Sequence, residues 1–219
     1  MVGIIVTIPI ACFRKGMSRQ YLETESIPHP STCYGFLLSL VGETEREQHQ
    51  GVRVTPVLLS RPVRSLVLRT VWRVKDKKNQ TGVNANKSLD YQQLLTGIRL
   101  IIWLDSTEEQ IQNGPTLEER VKIALDPSRR SEIDRFGGLS LGESTHLVDE
   151  VSLYDPKTSS LDDDEVANAQ ILSCGPDGLQ AWTVWVDHVG AEYTKYTTGS
   201  LVSWDKKPPE LTSMAQIHS

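Results

Sequence analysis

Residues 52–105 read VRVTPVLLSRPVRSLVLRTVWRVKDKKNQTGVNANKSLDYQQLLTGIRLIIWLD. Val52–Ser60 and Val63–Val74 are dense in β-branched and aliphatic residues and predict strands. A kink falls at Arg61-Pro62, because proline donates nothing to a ladder. Lys75–Ser88 is polar, carries Gly82 with Asn79, Asn84 and Asn86, and predicts a loop tip that is mobile when unbound. Gly97–Asp105 (GIRLIIWLD) predicts a strand returning to the core. Long strands flanking a polar tip predict a projecting hairpin. Between Val52 and Leu89 the charge is one-sided: Arg53, Arg61, Arg64, Arg69, Arg73, Lys75, Lys77, Lys78 and Lys87 stand against Asp76 alone.

Upstream, Val2–Phe13 alternates branched apolar residues and predicts a buried strand. The polar stretch Arg14–Pro30 ends in Ile27-Pro28-His29-Pro30, which enforces an extended approach. In Pro30–Glu43 (PSTCYGFLLSLVGE), Cys33, Phe36, Leu37, Leu40 and Val41 share one helical face. Ser31 suits the N-cap and Gly42 the C-terminal glycine. Gly35, inside the helix, suggests a close neighbour, since glycine there costs about 1 kcal/mol against alanine.

Downstream, Thr116-Leu117-Glu118-Glu119 is a capping box that opens a second helix, ended by Pro127. Ser128–Asp134 continues as a short turn, Phe136–Gly142 is a glycine-rich loop, and Thr145–Tyr154 predicts a strand. The order β-α-β-β-α-β is the split βαβ plan, so the fold class is α+β, a ferredoxin-like domain over residues 1–154. Residues 155–219 form a second unit. It comprises an acidic linker (Asp155–Ala167), a hairpin of Gln170–Cys174 and Leu179–Val186 around Gly175-Pro176-Asp177-Gly178, and short strands at Tyr193–Thr198 and Leu201–Trp204. The tail from Lys206, with Pro208-Pro209, reads as loosely held.

The chain of 219 residues carries a net charge of −5, yet its basic residues concentrate in the hairpin and its densest acidic run is Asp162-Asp163-Asp164-Glu165. A basic limb on an acidic body is either a solvated surface or a phosphate-tracking finger, and the near-absence of acids in the limb favours the finger. Cys12, Cys33 and Cys174 are odd in number and widely spaced, which argues against a disulfide framework and against zinc. No basic residue precedes the short apolar N-terminus, so it reads as a strand and not a signal or membrane span. The default compartment is cytoplasmic.

Four candidate sites follow. Arg14, Lys15 and Arg19 precede the first helix, and Ser31, Thr32 and Tyr34 open it. Its unpaired N–H groups suit a phosphate and Tyr34 suits a base, although capping by Ser31 with Tyr34 packed on the sheet is the simpler reading. Arg135 leads into Gly137, Gly138, Ser140 and Gly142, where glycines permit either a close backbone approach to a ligand or a tight turn. No GK[ST] follows, which excludes a P-loop. A metal-free ribonuclease needs a histidine, or a lysine and tyrosine, around a phosphate. Among His29, His49, His146, His188 and His218 only His29 lies near the helix start, and it reads as a surface loop residue. Asp162–Asp164 reads as an acidic linker in preference to a divalent site. Among the tryptophans, Trp103 reads as core, while Trp72 either stacks on a base or staples the hairpin.

The segments FRKGMSRQYLETESIPHPSTCYGFLLSLVGE (13–43), DYQQLLTGIRLIIWLD (90–105) and RFGGLSLGESTHLVDEV (135–151) resemble the fifth of the numbered Cas families. More narrowly, they resemble its myxobacterial and cyanobacterial branch, found in type I CRISPR systems, over about residues 2–154. The resemblance implies a ferredoxin-like (RRM-like, RAMP) body with a β-hairpin thumb that binds the 5′ handle of the CRISPR RNA (crRNA). The chain would then be one subunit of the surveillance complex called Cascade. It would contact the backbone subunit and the large subunit, with target DNA nearby, no membrane and no homo-oligomer. The thumb would be Arg69–Leu89, contributing Arg69, Trp72, Arg73, Lys75, Lys77, Lys78 and Lys87. The handle pocket would use Arg14, Lys15, Arg19, Ser31, Thr32 and Tyr34 with Arg135 and Gly137–Gly142. No cofactor, no metal and no catalytic set is expected, since the tyrosine–lysine–histidine set of the family's precursor-cleaving branch finds no match here. Cleavage of precursor crRNA is the alternative. Relatives of this branch serve either antiviral defence or CRISPR-associated transposons.

Overall fold

The computed structural model describes residues 1–16, 21–72, 74–111, 114–159, 161–187 and 192–219. Along the chain run β1 (Val2–Ala11), β2 (Phe13–Arg14), β3 (Tyr21–Leu22), β4 (Thr24–Glu25), α1 (Pro30–Leu40), β5 (Arg53–Leu58) and β6 (Val63–Trp72). They are followed by β7 (Lys87–Asp105), α2 (Leu117–Leu125), β8 (Glu150–Tyr154), α3 (Asp163–Asn168), β9 (Gln170–Cys174), β10 (Gln180–Trp185), β11 (Lys195–Ser203) and β12 (Ala215–Gln216). The result is a mixed α/β protein dominated by one large antiparallel sheet of order β10-β11-β9-β5-β7-β1-β8.

β1 is apolar on both sides because both sheet faces are covered. Ile4, Val6 and Ile8 join the cluster beneath the helices, with Leu37, Leu100 and Val121. Ile5 points the other way, to Val57, Ile101, Trp103, Tyr154 and Trp204. Trp103 is core, edge-on to Tyr154 at 5.7 Å. The tail from Lys206 is not loose: Met214, Ala215 and Ile217 are buried, and β12 pairs with β5. Single apolar residues among polar neighbours carry no periodicity, which is why the sequence hides this docking.

The strand after the glycine loop begins at Glu150, not Thr145. Gln170–Cys174 and Leu179–Val186 do not pair as a hairpin, because β11 lies between them. The Gly175–Gly178 turn steps over β11: a Cβ on Gly178 would lie 2.1 Å from the Gly199 nitrogen. Asp162 caps α3 within the segment read as linker, and Glu165 grips Arg99.

α1 starts two residues earlier than a Ser31 cap would set it. Proline at N1 has its φ preset and needs no partner for a missing N–H, so His29 takes the N-cap without a side-chain bond. Gly42 ends the helix at φ +68°, and a Cβ there would lie 2.0 Å from the Asp134 carbonyl oxygen. That approach seats the segment leading to the glycine loop. By contrast, nothing lies within 4 Å of a Cβ built on Gly35, so no close neighbour explains that glycine. α2 opens on the expected Thr116–Glu119 capping box.

A buried polar network ties the two helices together. His49 Nδ1 lies 2.5 Å from Glu109 Oε1, and His49 Nε2 lies 3.0 Å from Arg120 Nη1. The Glu109 carboxylate accepts from the Leu117 N–H at the start of α2. Arg120 donates to Glu43 and to the Val41 carbonyl at the end of α1.

Candidate nucleic-acid interface

The hairpin is the long antiparallel pair of β6 and the first half of β7, in register from Val63↔Thr96 to Trp72↔Lys87. Leu89–Thr96 is therefore strand, which extends β7 well beyond the expected Gly97 start. One face of the hairpin looks to solvent and carries Leu66, Leu68, Leu89 and Tyr91, all exposed. β3 runs parallel beside it and places Tyr21 against Tyr91.

The tip is built around Asn86, which is fully buried. Its Oδ1 accepts from the Lys75 and Asp76 N–H groups at 2.7 and 2.8 Å, and its Nδ2 donates to the Asp76 and Asn79 carbonyls at 2.8 Å. Asp76, the acid of the tip, turns inward to the Lys78 N–H and Asn79 Nδ2. Lys75, Lys77, Lys78 and Lys87 stand exposed, with no ion pair among the described residues. Trp72 covers Gly82, whose Cβ would meet the indole at 2.8 Å, and still exposes 67% of its surface. It staples the tip and keeps one face open. Arg69 turns to the body, 3.5 Å from Glu143. Arg19 and Arg73 lie outside the described residues.

A groove of about 480 Å³ runs along α1. Ser31, Thr32, Tyr34 and Ser39 line it from the helix, Ser140, Gly142 and Ser144 from the glycine loop, and Trp185 and Val186 from the end of β10. The helix start and part of the loop do come together. Their chemistry differs from the expectation in detail. Ser31 does not cap; its hydroxyl lies 2.7 Å from that of Thr183. Tyr34 is buried, and its hydroxyl donates to the Arg46 carbonyl at 2.6 Å, so its ring offers no stacking face. Burial pushes its phenol pKa up. Arg14 and Lys15 stay outside the groove: Arg14 lies in the β2–β4 ladder, and Lys15 sits 3.7 Å from Glu23. Arg135 donates to the Gly137 carbonyl and borders a separate depression with Arg130 and Leu125. Gly138 packs near Leu147.

Arg46 also lines the groove, and the sequence reading missed it. Its guanidinium sits 4.4 Å from the Trp185 ring centroid and donates to the Val186 carbonyl at 2.9 Å. Glu43, the acid in the lining, is engaged elsewhere. Burial opposes its ionisation, but bonds from Arg120 and from the Thr44 and Glu45 N–H groups outweigh that and hold its pKa low.

His29, His49 and His146 serve the fold. His146 Nδ1 accepts from the Cys12 and Glu143 N–H groups at 3.2 Å. His29 is buried, not a surface loop residue: its Nδ1 accepts from the Thr183 N–H at 3.1 Å and its ring lies 5.3 Å from Trp182. It thereby helps hold β10 to the start of α1. His188 lies outside the described residues. Among the described residues no group of three or more His, Cys, Asp or Glu side chains is placed to hold a metal ion. No described helix is long and apolar enough to cross a membrane.

Burial pushes the His29 pKa down from 6.5 to about 4. The unfolded chain therefore takes up this proton first as pH falls. The stability tied to neutral His29 is present above pH 6.5 and is lost as the pH drops towards 4, to a limit of roughly 3 kcal/mol. Urea unfolding at pH 7 and pH 4.5 should show about 2–3 kcal/mol more acid destabilisation in the wild type than in His29→Asn, which keeps an acceptor for Thr183. Equal losses in the two proteins would refute the assignment.

Fold and surface define a class: an α/β protein whose large antiparallel sheet extends a cationic hairpin beside a hydroxyl-lined groove. No family model matches the sequence. It is 43% identical over 201 residues to the CRISPR-associated protein Cas5 of Myxococcus xanthus (strain DK1622), covering 92% of this chain and 90% of that protein. The chain belongs to the Cas5 family. A chain of a solved CRISPR RNA-guided surveillance complex shares the fold with a TM-score of 0.58 and 12% identity, covering 91% of this chain and 89% of its own. A crystal structure of a Cas protein gives a TM-score of 0.49 at 11% identity, with 92% of each chain covered.

Proposed function

We propose that this protein is a non-catalytic, crRNA-binding subunit of a type I Cascade complex, seated on the 5′ handle. The carrying observation is the convergence of Ser31 and Thr32 with Ser140 and Gly142 in one groove on the body that bears the free lysines of the tip. Hydroxyls and backbone N–H groups suit the sugar and base edges of an unstacked single strand. Lysines on a projecting finger suit its phosphates, without regard to sequence. Membership of the Cas5 family and the likeness to a surveillance-complex chain support the same assignment. On this reading the core is a ferredoxin-like RAMP domain, since β5, β7, β1 and β8 lie side by side, all antiparallel, with α1 and α2 between them in the chain. The backbone and large subunits are then its protein neighbours, the target DNA passes nearby, and the setting is cytoplasmic. Defence or transposition follows from the neighbouring genes.

Purified protein incubated with labelled repeat RNA in EDTA should bind it in a salt-sensitive way and leave it intact. Specific scission would overturn the non-catalytic assignment. Absence of binding at low salt would overturn RNA recognition itself. The burial of His29 and its engagement with Thr183 argue against it as the base of a cleavage reaction.

A further inference from the structure

The groove along α1 has one feature that neither the hairpin nor the glycine loop explains. Its lining is rich in hydroxyls, and Arg46 is the cation among them. Arg46 makes no ion pair among the described residues, yet its guanidinium is fixed. The Trp185 ring lies beneath it at 4.4 Å, the Val186 carbonyl takes one N–H, and the Tyr34 hydroxyl holds its main-chain carbonyl. A guanidinium has five N–H donors in a rigid fork, so those bonds leave donors to spare. Stacking on indole also fixes it without neutralising it. A cation held in place and left uncompensated is preorganised for an anion, because little conformational freedom remains to be lost on binding.

We propose that Arg46 is the phosphate anchor of a subsite for a single unpaired ribonucleotide of the guide. The phosphate sits on the Arg46 fork, and the ribose hydroxyl faces the serines of α1 and the glycine loop. This rests on the RNA-binding reading above and adds to it a specific position. The volume of about 480 Å³ lies within the ~300–1,000 Å³ range of small-ligand sites, room for one splayed nucleotide and too little for a duplex. The two binding elements then divide the work. The tip lysines hold the backbone by charge alone, and the groove sets which nucleotide lies where.

The test uses the full chain and a labelled single-stranded RNA taken from the 5′ end of its own repeat. Arg46→Gln keeps an amide N–H for Val186 while removing the charge, and Arg46→Lys keeps the charge without the fork. At moderate salt Arg46→Gln should weaken binding by about tenfold or more, with Arg46→Lys intermediate. Replacing the ribose by deoxyribose along the strand should weaken wild-type binding further. Thermal melting controls for folding. If both variants melt normally and bind RNA like the wild type, the subsite is wrong, although RNA binding stands. A variant that binds RNA normally but no longer co-purifies with neighbouring complex proteins overturns the proposal in favour of a partner carboxylate. A wild type that binds no RNA removes this proposal together with the reading on which it rests.

Discussion

Replacing Lys75, Lys77 and Lys78 together by glutamate should reduce affinity for single-stranded guide RNA by roughly a hundredfold or more at about 0.1 M salt. Each phosphate contact on a single strand contributes about 0.7 to the slope of log K against log salt, so the slope should become shallower by about 2. The effect is large because these ammonium groups stand free of ion pairs among the described residues, and Asp76 is turned into the tip. The fold should not notice. The side chains are exposed, and the tip is organised by Asn86 through main-chain groups that the substitution leaves alone. Filter binding over a salt series checks this, and an unchanged slope would remove the finger from the interface.

Glu109→Ala should cost roughly 3–5 kcal/mol of stability, the range for breaking one partner out of a buried ionic network. Glu109 holds His49 on one side and the first N–H of α2 on the other, and both lose their acceptor at once. Arg120, which bridges the same histidine to Glu43 and the end of α1, loses its support. A domain of this size should melt about 10 °C lower. A shift within a degree or two would mean that water replaces the carboxylate without penalty.

The parts of the molecule that sequence reveals are those whose signals are local. Thr116 and Glu119 announce α2 by a reciprocal cap, and the apolar spacing from Cys33 to Val41 announces α1. The first half of β7 was hidden because Asp90, Gln92 and Gln93 interrupt the apolar pattern of a strand whose outer face meets solvent. The insertion of β11 between β9 and β10 is a matter of long-range register, on which no single segment comments. In the groove, Ser31, Thr32, Ser140 and Gly142 are the members that family likeness points to, and the fold brings them together. Arg46 is not among them, because it lies in a run of glutamates where a lone arginine looks like ordinary solvated surface. Only the fold brings Trp185, more than a hundred residues away in sequence, beneath it. His29 was misplaced for the same reason: its burial depends on Trp182, from the far end of the chain.

β7 passes without a break from the finger to the middle of the sheet, pairing with β6 up to Thr96 and with β5 from Leu100. At the handover Gly97 adopts φ +71°, a conformation that costs a residue with a side chain roughly 1–2 kcal/mol. The finger thus behaves as a lever with its pivot at one residue and its short arm clamped between β1 and β5. Whatever seizes the outer end pulls directly on a strand paired on both sides, so the direction in which the finger points is set by the sheet and not by a loop.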